Sequence, residues 1–158
     1  MDIVSYLYYK GLIYLGLKRY EDSMEQFRLV LSYPSACTHK VHVESYKKLL
    51  ILTLLQVAEG KIPLSTAHGK MANIIPRTTH HMLKYRLENG YPAYQNLVET
   101  FLNPEKPIAF EELLLMRQEE FERDKNWGLI KKLAKVFRQP LRLRIVELSD
   151  TYLTLKLS

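Results

Sequence analysis

Only one cysteine, Cys37, occurs in the 158 residues. That excludes a disulfide framework and a cysteine-built zinc cluster, and it suits a reducing compartment. Long hydrophobic runs are missing too: the longest, Leu49 to Leu55, is far too short to span a bilayer. The first twenty residues open with Asp2, have no basic leader and carry Lys10 inside their apolar stretch, which is no signal-peptide pattern. A glycine-rich phosphate loop is absent, since Gly69-Lys70 lacks the preceding glycine and is followed by Met71. Hydrophobic residues at 47% and charged residues at 25% exclude wholesale disorder. A soluble intracellular chain is expected.

What is present is a basic excess, +6 overall with a pI near 9.3, and it is local. Lys125, Lys131, Lys132, Lys135, Arg138, Arg142 and Arg144 fall in one stretch without an acid, just after Glu111, Glu112, Glu119, Glu120, Glu122 and Asp124. Such a face could meet nucleic acid or an acidic protein partner. Lys131, Lys132 and Lys135, with Arg138 a turn on, are the candidate docking residues. An element able to read nucleic-acid bases and an aromatic stacking platform are both missing, so an acidic partner or plain solvent is favoured over nucleic acid.

Apolar spacing predicts helix almost throughout. Asp2 is placed to cap a first helix through Ile3, Leu7, Tyr8, Gly11, Tyr14 and Leu15, with a stop at Gly16 or a run to Lys18. A second spans Glu21 to Leu31 and ends before Pro34. A third, from about Val41 to Glu59, is apolar over most of its circumference and should be covered on all sides, with Gly60 closing it. Short helices are expected from Leu64 to about Ile75, from Thr79 to Leu87, and from Pro92 as first residue to Phe101. Asn103 to Pro107 reads as a linker with two prolines. Beyond it come helices Phe110 to Arg123, Trp127 to Phe137 capped by Asn126, and Leu141 to about Leu153. The ending at Leu155 to Ser158 looks like a turn before an absent helix, as in a piece of a larger protein.

The first two helices fit the tetratricopeptide pattern, which needs small residues where two helices approach and aromatics beside them. Gly11 falls on the small position, Tyr14 on the aromatic one, Ser23 on the small site of the second helix, Phe27 on the next aromatic and Val30 on the closing small site. One such unit cannot bury its own face, so neighbours are required. Catalytic constellations are lacking. His39 and His42 could share a helix face, but no third ligand joins them; His80 and His81 are adjacent and diverge; Cys37 has no oriented base. No metal, cofactor or enzymatic activity is expected.

Tyr6-Leu7-Tyr8-Tyr9-Lys10-Gly11-Leu12-Ile13-Tyr14-Leu15-Gly16 and Val43-Glu44-Ser45-Tyr46-Lys47-Lys48-Leu49 closely resemble the subunit-three family of the COP-nine signalosome. Phe121-Glu122-Arg123-Asp124-Lys125-Asn126-Trp127-Gly128 and Leu148-Ser149-Asp150-Thr151-Tyr152 resemble the beginning of a PCI domain, shared with proteasome-lid and translation-initiation subunits. The stretch from Ile62 to Pro107 matches poorly. The resemblance implies an all-α, right-handed tetratricopeptide-like repeat array over residues 1–103, leading into the first helical part of a truncated PCI domain over 104–158. It implies a non-catalytic scaffold, in nucleus and cytoplasm, for a complex that removes Nedd8 from cullins. Its partners would be the other signalosome subunits and, through them, cullin-RING ligases, with no membrane. A proteasome-lid subunit of the same plan and a helical-repeat nucleic-acid binder are the alternatives.

Overall fold

The computed structural model describes residues 2–34, 39–103 and 107–138. Cys37 and the expected helix from Leu141 to Leu153 lie outside them, as do Arg142 and Arg144. The described residues are helices joined by turns: α1 (Ile3–Gly16), α2 (Tyr20–Ser32), α3 (Lys40–Ala58), α4 (Leu64–Ala72), α5 (His81–Asn89), α6 (Pro92–Leu102), α7 (Pro107–Met116), α8 (Gln118–Arg123) and a further helix, α9, over residues 127–138. The fold is an all-α helical-repeat array.

α1 and α2 pair as an antiparallel hairpin, α2 packs on α3, and α6 packs on both α3 and α7. The central position of α3 follows from its sequence: Ser45 to Leu55 are all buried, so no face of its middle turns meets water. Leu49, Ile51, Leu52 and Leu54 are completely enclosed and join Phe27 and Leu31 of α2, Leu83 and Leu87 of α5, and Leu97 of α6 in one core. Each such side chain withdrawn from water contributes roughly 1.5–3 kcal/mol, which draws a helix whose apolar residues run round most of its circumference to the centre.

α1 itself ends at Gly16 as expected; past it Lys18 takes the left-handed conformation (φ 60°), and the Lys18 and Arg19 N–H groups close back on Leu15 and Tyr14 carbonyls. Several boundaries differ from the sequence reading, each for a local reason. α4 ends at Ala72, because Ile74 and Ile75 leave the helix to bury in the core. α5 begins at His81 rather than Thr79: the Thr79 hydroxyl instead donates to the Leu31 carbonyl at 2.8 Å, satisfying the end of α2. The helix expected from Phe110 to Arg123 is broken at Arg117 (φ −110°). No proline or glycine marks that break. It lets α7 lie along α6 while the α8 residue Phe121 turns edge-on to Tyr94, ring centroids 5.2 Å apart.

Candidate assembly surfaces

The contact between α1 and α2 is close because Gly11 has no side chain. A Cβ there would sit 2.7 Å from Phe27 Cε1, a distance at which something must move. Ser23 donates to the Gly11 carbonyl at 2.8 Å, and Ser23, Phe27 and Val30 are wholly buried. Tyr14 lies apart from this contact: it is half-buried, with the Arg19 guanidinium 4.9 Å from its ring. Tyr8, one turn earlier on α1, is the ring that leans on Phe27, at 6.1 Å. Burial raises the Tyr8 hydroxyl to about 12. Spacing from Gly11 could have found Tyr8, three residues before it, but the repeat pattern points three residues after.

A second site joins parts of the chain that spacing treats as unrelated. Lys47 and Lys48 of α3 are both buried and point at the turn between α8 and α9. Lys47 Nζ donates to Asp124 Oδ2 at 2.8 Å, and Lys48 Nζ to Asn126 Oδ1 at 2.9 Å and Glu44 Oε2 at 3.3 Å. Tyr94 of α6 donates its hydroxyl to Asp124 Oδ2 at 2.8 Å and accepts from Asn126 Nδ2 at 2.9 Å. The Lys47 ammonium also lies 4.8 Å from the Tyr91 ring centroid and 5.3 Å from that of Tyr94. Burial pulls the Lys48 pKa down, against the pull of Glu44 and Asp124, and burial pushes the Tyr94 hydroxyl far up.

The turn itself is shaped for this. Lys125 is left-handed (φ 58°), its N–H bonds the Glu122 carbonyl, and the Asn126 N–H reaches the Phe121 carbonyl at 3.0 Å. This closure sets Asp124 and Asn126 on either side of one αL residue. Asn126 precedes α9 as expected, but its side chain is fully buried in the network.

The basic residues of α9 divide. Lys132 lies over the Tyr20 ring at 4.2 Å and bonds its hydroxyl, so it ties α9 to the start of α2. Arg138 bonds Glu111 of α7 at 2.8 Å. Lys131 and Lys135 remain exposed. With Glu111, Leu114, Leu115, Trp127, Ala134 and Arg138 they line a groove of about 490 Å³ between α7 and α9.

His39 with His42, and His80, sit at helix starts. The His39 N–H points at His42 Nδ1 at 3.4 Å, and His80 Nδ1 accepts from the Met82 N–H at 3.4 Å. Burial, then the neighbouring His39, lowers the pKa of fully enclosed His42 below its ordinary 6.5. Among the described residues no group of three or more His, Cys, Asp or Glu is placed to hold a metal, and no helix is long and apolar enough to cross a membrane.

Residues 1–74 match the family described as COP9 signalosome complex subunit 3, N-terminal helical repeats. Proteins named COP9 signalosome complex subunit 3 are similar along nearly the whole chain. That of Dictyostelium discoideum is 29% identical over 157 residues, 99% of this chain and 34% of its own length. That of Arabidopsis thaliana is 29% identical over 157 residues, 99% and 33% respectively. That of Drosophila melanogaster is 32% identical over 156 residues, 97% and 31%. The chain is similar to these proteins and spans about a third of the length of the curated relatives it matches.

Proposed function

From this kinship with COP9 signalosome subunit 3, we propose that the chain is a non-catalytic scaffolding part of a signalosome, the complex that removes Nedd8 from cullins and thereby resets cullin-RING ubiquitin ligases. The observation that carries the reading is similarity to subunits of that complex over 97–99% of the chain. The packing supports it: stacked helices joined by a buried polar junction form a stiff support, since each repeat leans on its neighbours. On this reading residues 1–103 are repeat arm and residues 104–158 the helical beginning of a PCI domain. The protein would work in nucleus and cytoplasm, and its partners would be other signalosome subunits.

The junction suits an orienting role. Glu44, Lys47 and Lys48 belong to the arm, Asp124 and Asn126 to the helices that follow, and every polar group named there has a partner. A satisfied buried network fixes one relative placement of its parts, because any slippage strands a charge in low dielectric. The arm would thus leave the PCI region at a set angle.

The test is mass spectrometry of what copurifies with the tagged full-length protein from its native cell. A stoichiometric set of PCI subunits together with the cullin-deneddylating isopeptidase is the expected result. Proteasome-lid subunits would reassign the complex, and nucleic-acid machinery or nothing would remove the functional reading.

A further inference from the structure

The groove between α7 and α9 has a composition unlike ordinary surface. Its floor is apolar, made by Leu114, Trp127 and Ala134, and Leu115 stands at its lip with 73% of its surface exposed. Its rim is cationic. Arg138 is already neutralised by Glu111, and Lys132 is spent on Tyr20. Lys131 and Lys135 are left on the rim with no carboxylate partner among the described residues, Lys131 standing 5.9 Å from the Trp127 ring.

We propose that this groove receives an acidic amphipathic helix from another protein of the complex. The inference rests on the scaffold reading above and adds the chemistry of one partner. Lys131 and Lys135 are one helical turn apart, about 6 Å along the axis, which matches carboxylates at i and i+4 on an approaching helix. A large apolar side chain between those carboxylates enters the floor beside Trp127, the helix-in-groove mode of recognition. A half-buried tryptophan flanked by cations is the composition of an interface anchor. Nucleic acid fits less well: Arg138, which could grip a phosphate, is paired with Glu111, and the floor offers one aromatic ring among aliphatic side chains rather than the several that stack successive bases.

The experiment reconstitutes the full-length chain with the other subunits, carrying the photo-reactive benzoylphenylalanine at position 115. Irradiation should join it to a helix of a different subunit that bears acidic residues one turn apart. The Lys131→Glu, Lys135→Glu double variant alters two exposed side chains and should keep its melting temperature, yet enter the complex roughly tenfold more weakly. Reversing the cross-linked helix's carboxylates to lysine should restore entry. Cross-links only within the chain, to nucleic acid or to a helix without acids would overturn the inference. So would undiminished entry of the double variant while the unaltered chain assembles. If the unaltered chain itself does not assemble, the scaffold reading fails and takes the inference with it.

Discussion

Lys48 Nζ lies 2.9 Å from Asn126 Oδ1, although 78 residues separate them along the chain. Beside them Lys47 and Asp124 repeat the arrangement at 2.8 Å. The lysine pair of the central helix and the Asp-Lys-Asn turn before the last described helix form one buried junction. The charges are tolerable there only because counter-charges and hydrogen-bond partners meet them, Glu44 from the same helix and Asp124 and Asn126 from the distant turn. The junction makes α3, α6 and the α8–α9 turn interdependent, and it supplies the first prediction.

Removing one partner should cost far more than removing both. Asp124→Ala leaves the Lys47 ammonium, its side chain 8% exposed, with only the more distant Glu44 at 3.9 Å, strips the Tyr94 hydroxyl of its acceptor, and should cost about 3 kcal/mol. Lys47→Met combined with Asp124→Leu should recover most of that loss. Urea titrations of the single and double variants measure the coupling; strictly additive losses would mean the pair contributes no mutual stabilisation.

Gly11→Leu should force α1 away from α2, since even a Cβ meets Phe27 at 2.7 Å. The expected cost is about 1–3 kcal/mol, or roughly 2–4 °C of melting temperature per kcal/mol in a chain of this size. Trimming the opposing ring with Phe27→Leu should return part of it. An unchanged melting temperature for the glycine variant would show that the helices do not meet there.

Lys125 holds a positive φ of 58°, a conformation that costs most L-residues roughly 1–2 kcal/mol. Lys125→Gly should therefore raise stability by about 0.5–1 kcal/mol, and Lys125→Val should lower it, because branching at Cβ worsens the strain. Calorimetric melting should rank the three as glycine, lysine, valine.

The enclosed His42 imidazole is held below its ordinary 6.5. The unfolded chain therefore binds a proton that the folded chain resists as pH falls through about 6.5, so this group lowers stability on the acid side and costs nothing above it. The melting temperature should drop between roughly pH 7.5 and pH 5.5, bracketing the ordinary histidine value. His42→Asn, which keeps an acceptor for the His39 N–H, should flatten part of that drop. Equal slopes for both proteins would assign the effect to other groups.

The lysines of α9 should separate by stability. Lys132→Ala removes the ammonium from the Tyr20 ring and should cost about 0.5–2 kcal/mol. Lys135→Ala, exposed at the groove rim, should stay within about 0.5 kcal/mol. Reversal of Lys131, Lys132 and Lys135 together is consequently not neutral for the fold, and a thermal melt of each single variant shows which lysine carries the loss.

Much of the fold was legible because its signals are local or periodic. The continuous apolar character of α3 predicted complete coverage, and Ser45 to Leu55 are buried. Gly60 (φ 77°) closes that helix, and Pro92 opens α6. The break at Arg117 and the left-handed Lys18 and Lys125 were not legible, because lysine and arginine carry no turn signal. There the surrounding packing overrides the residue's own preference. Of the candidate site, the basic stretch of α9 could be read as charge, but not which lysine it spends on Tyr20.

The all-helical class, most of the helix positions and the family resemblance could be read from residue order alone, because each depends on residue type at short spacing or on contiguous similarity. Only the tertiary structure decided that Lys47 and Lys48 face Asp124 and Asn126, that Tyr8 rather than Tyr14 meets Phe27, and that Lys131 and Lys135 border an apolar groove. Those facts depend on which helix faces lie together in space. Side-chain spacing of three or four residues says which face a residue occupies, and nothing about what that face meets.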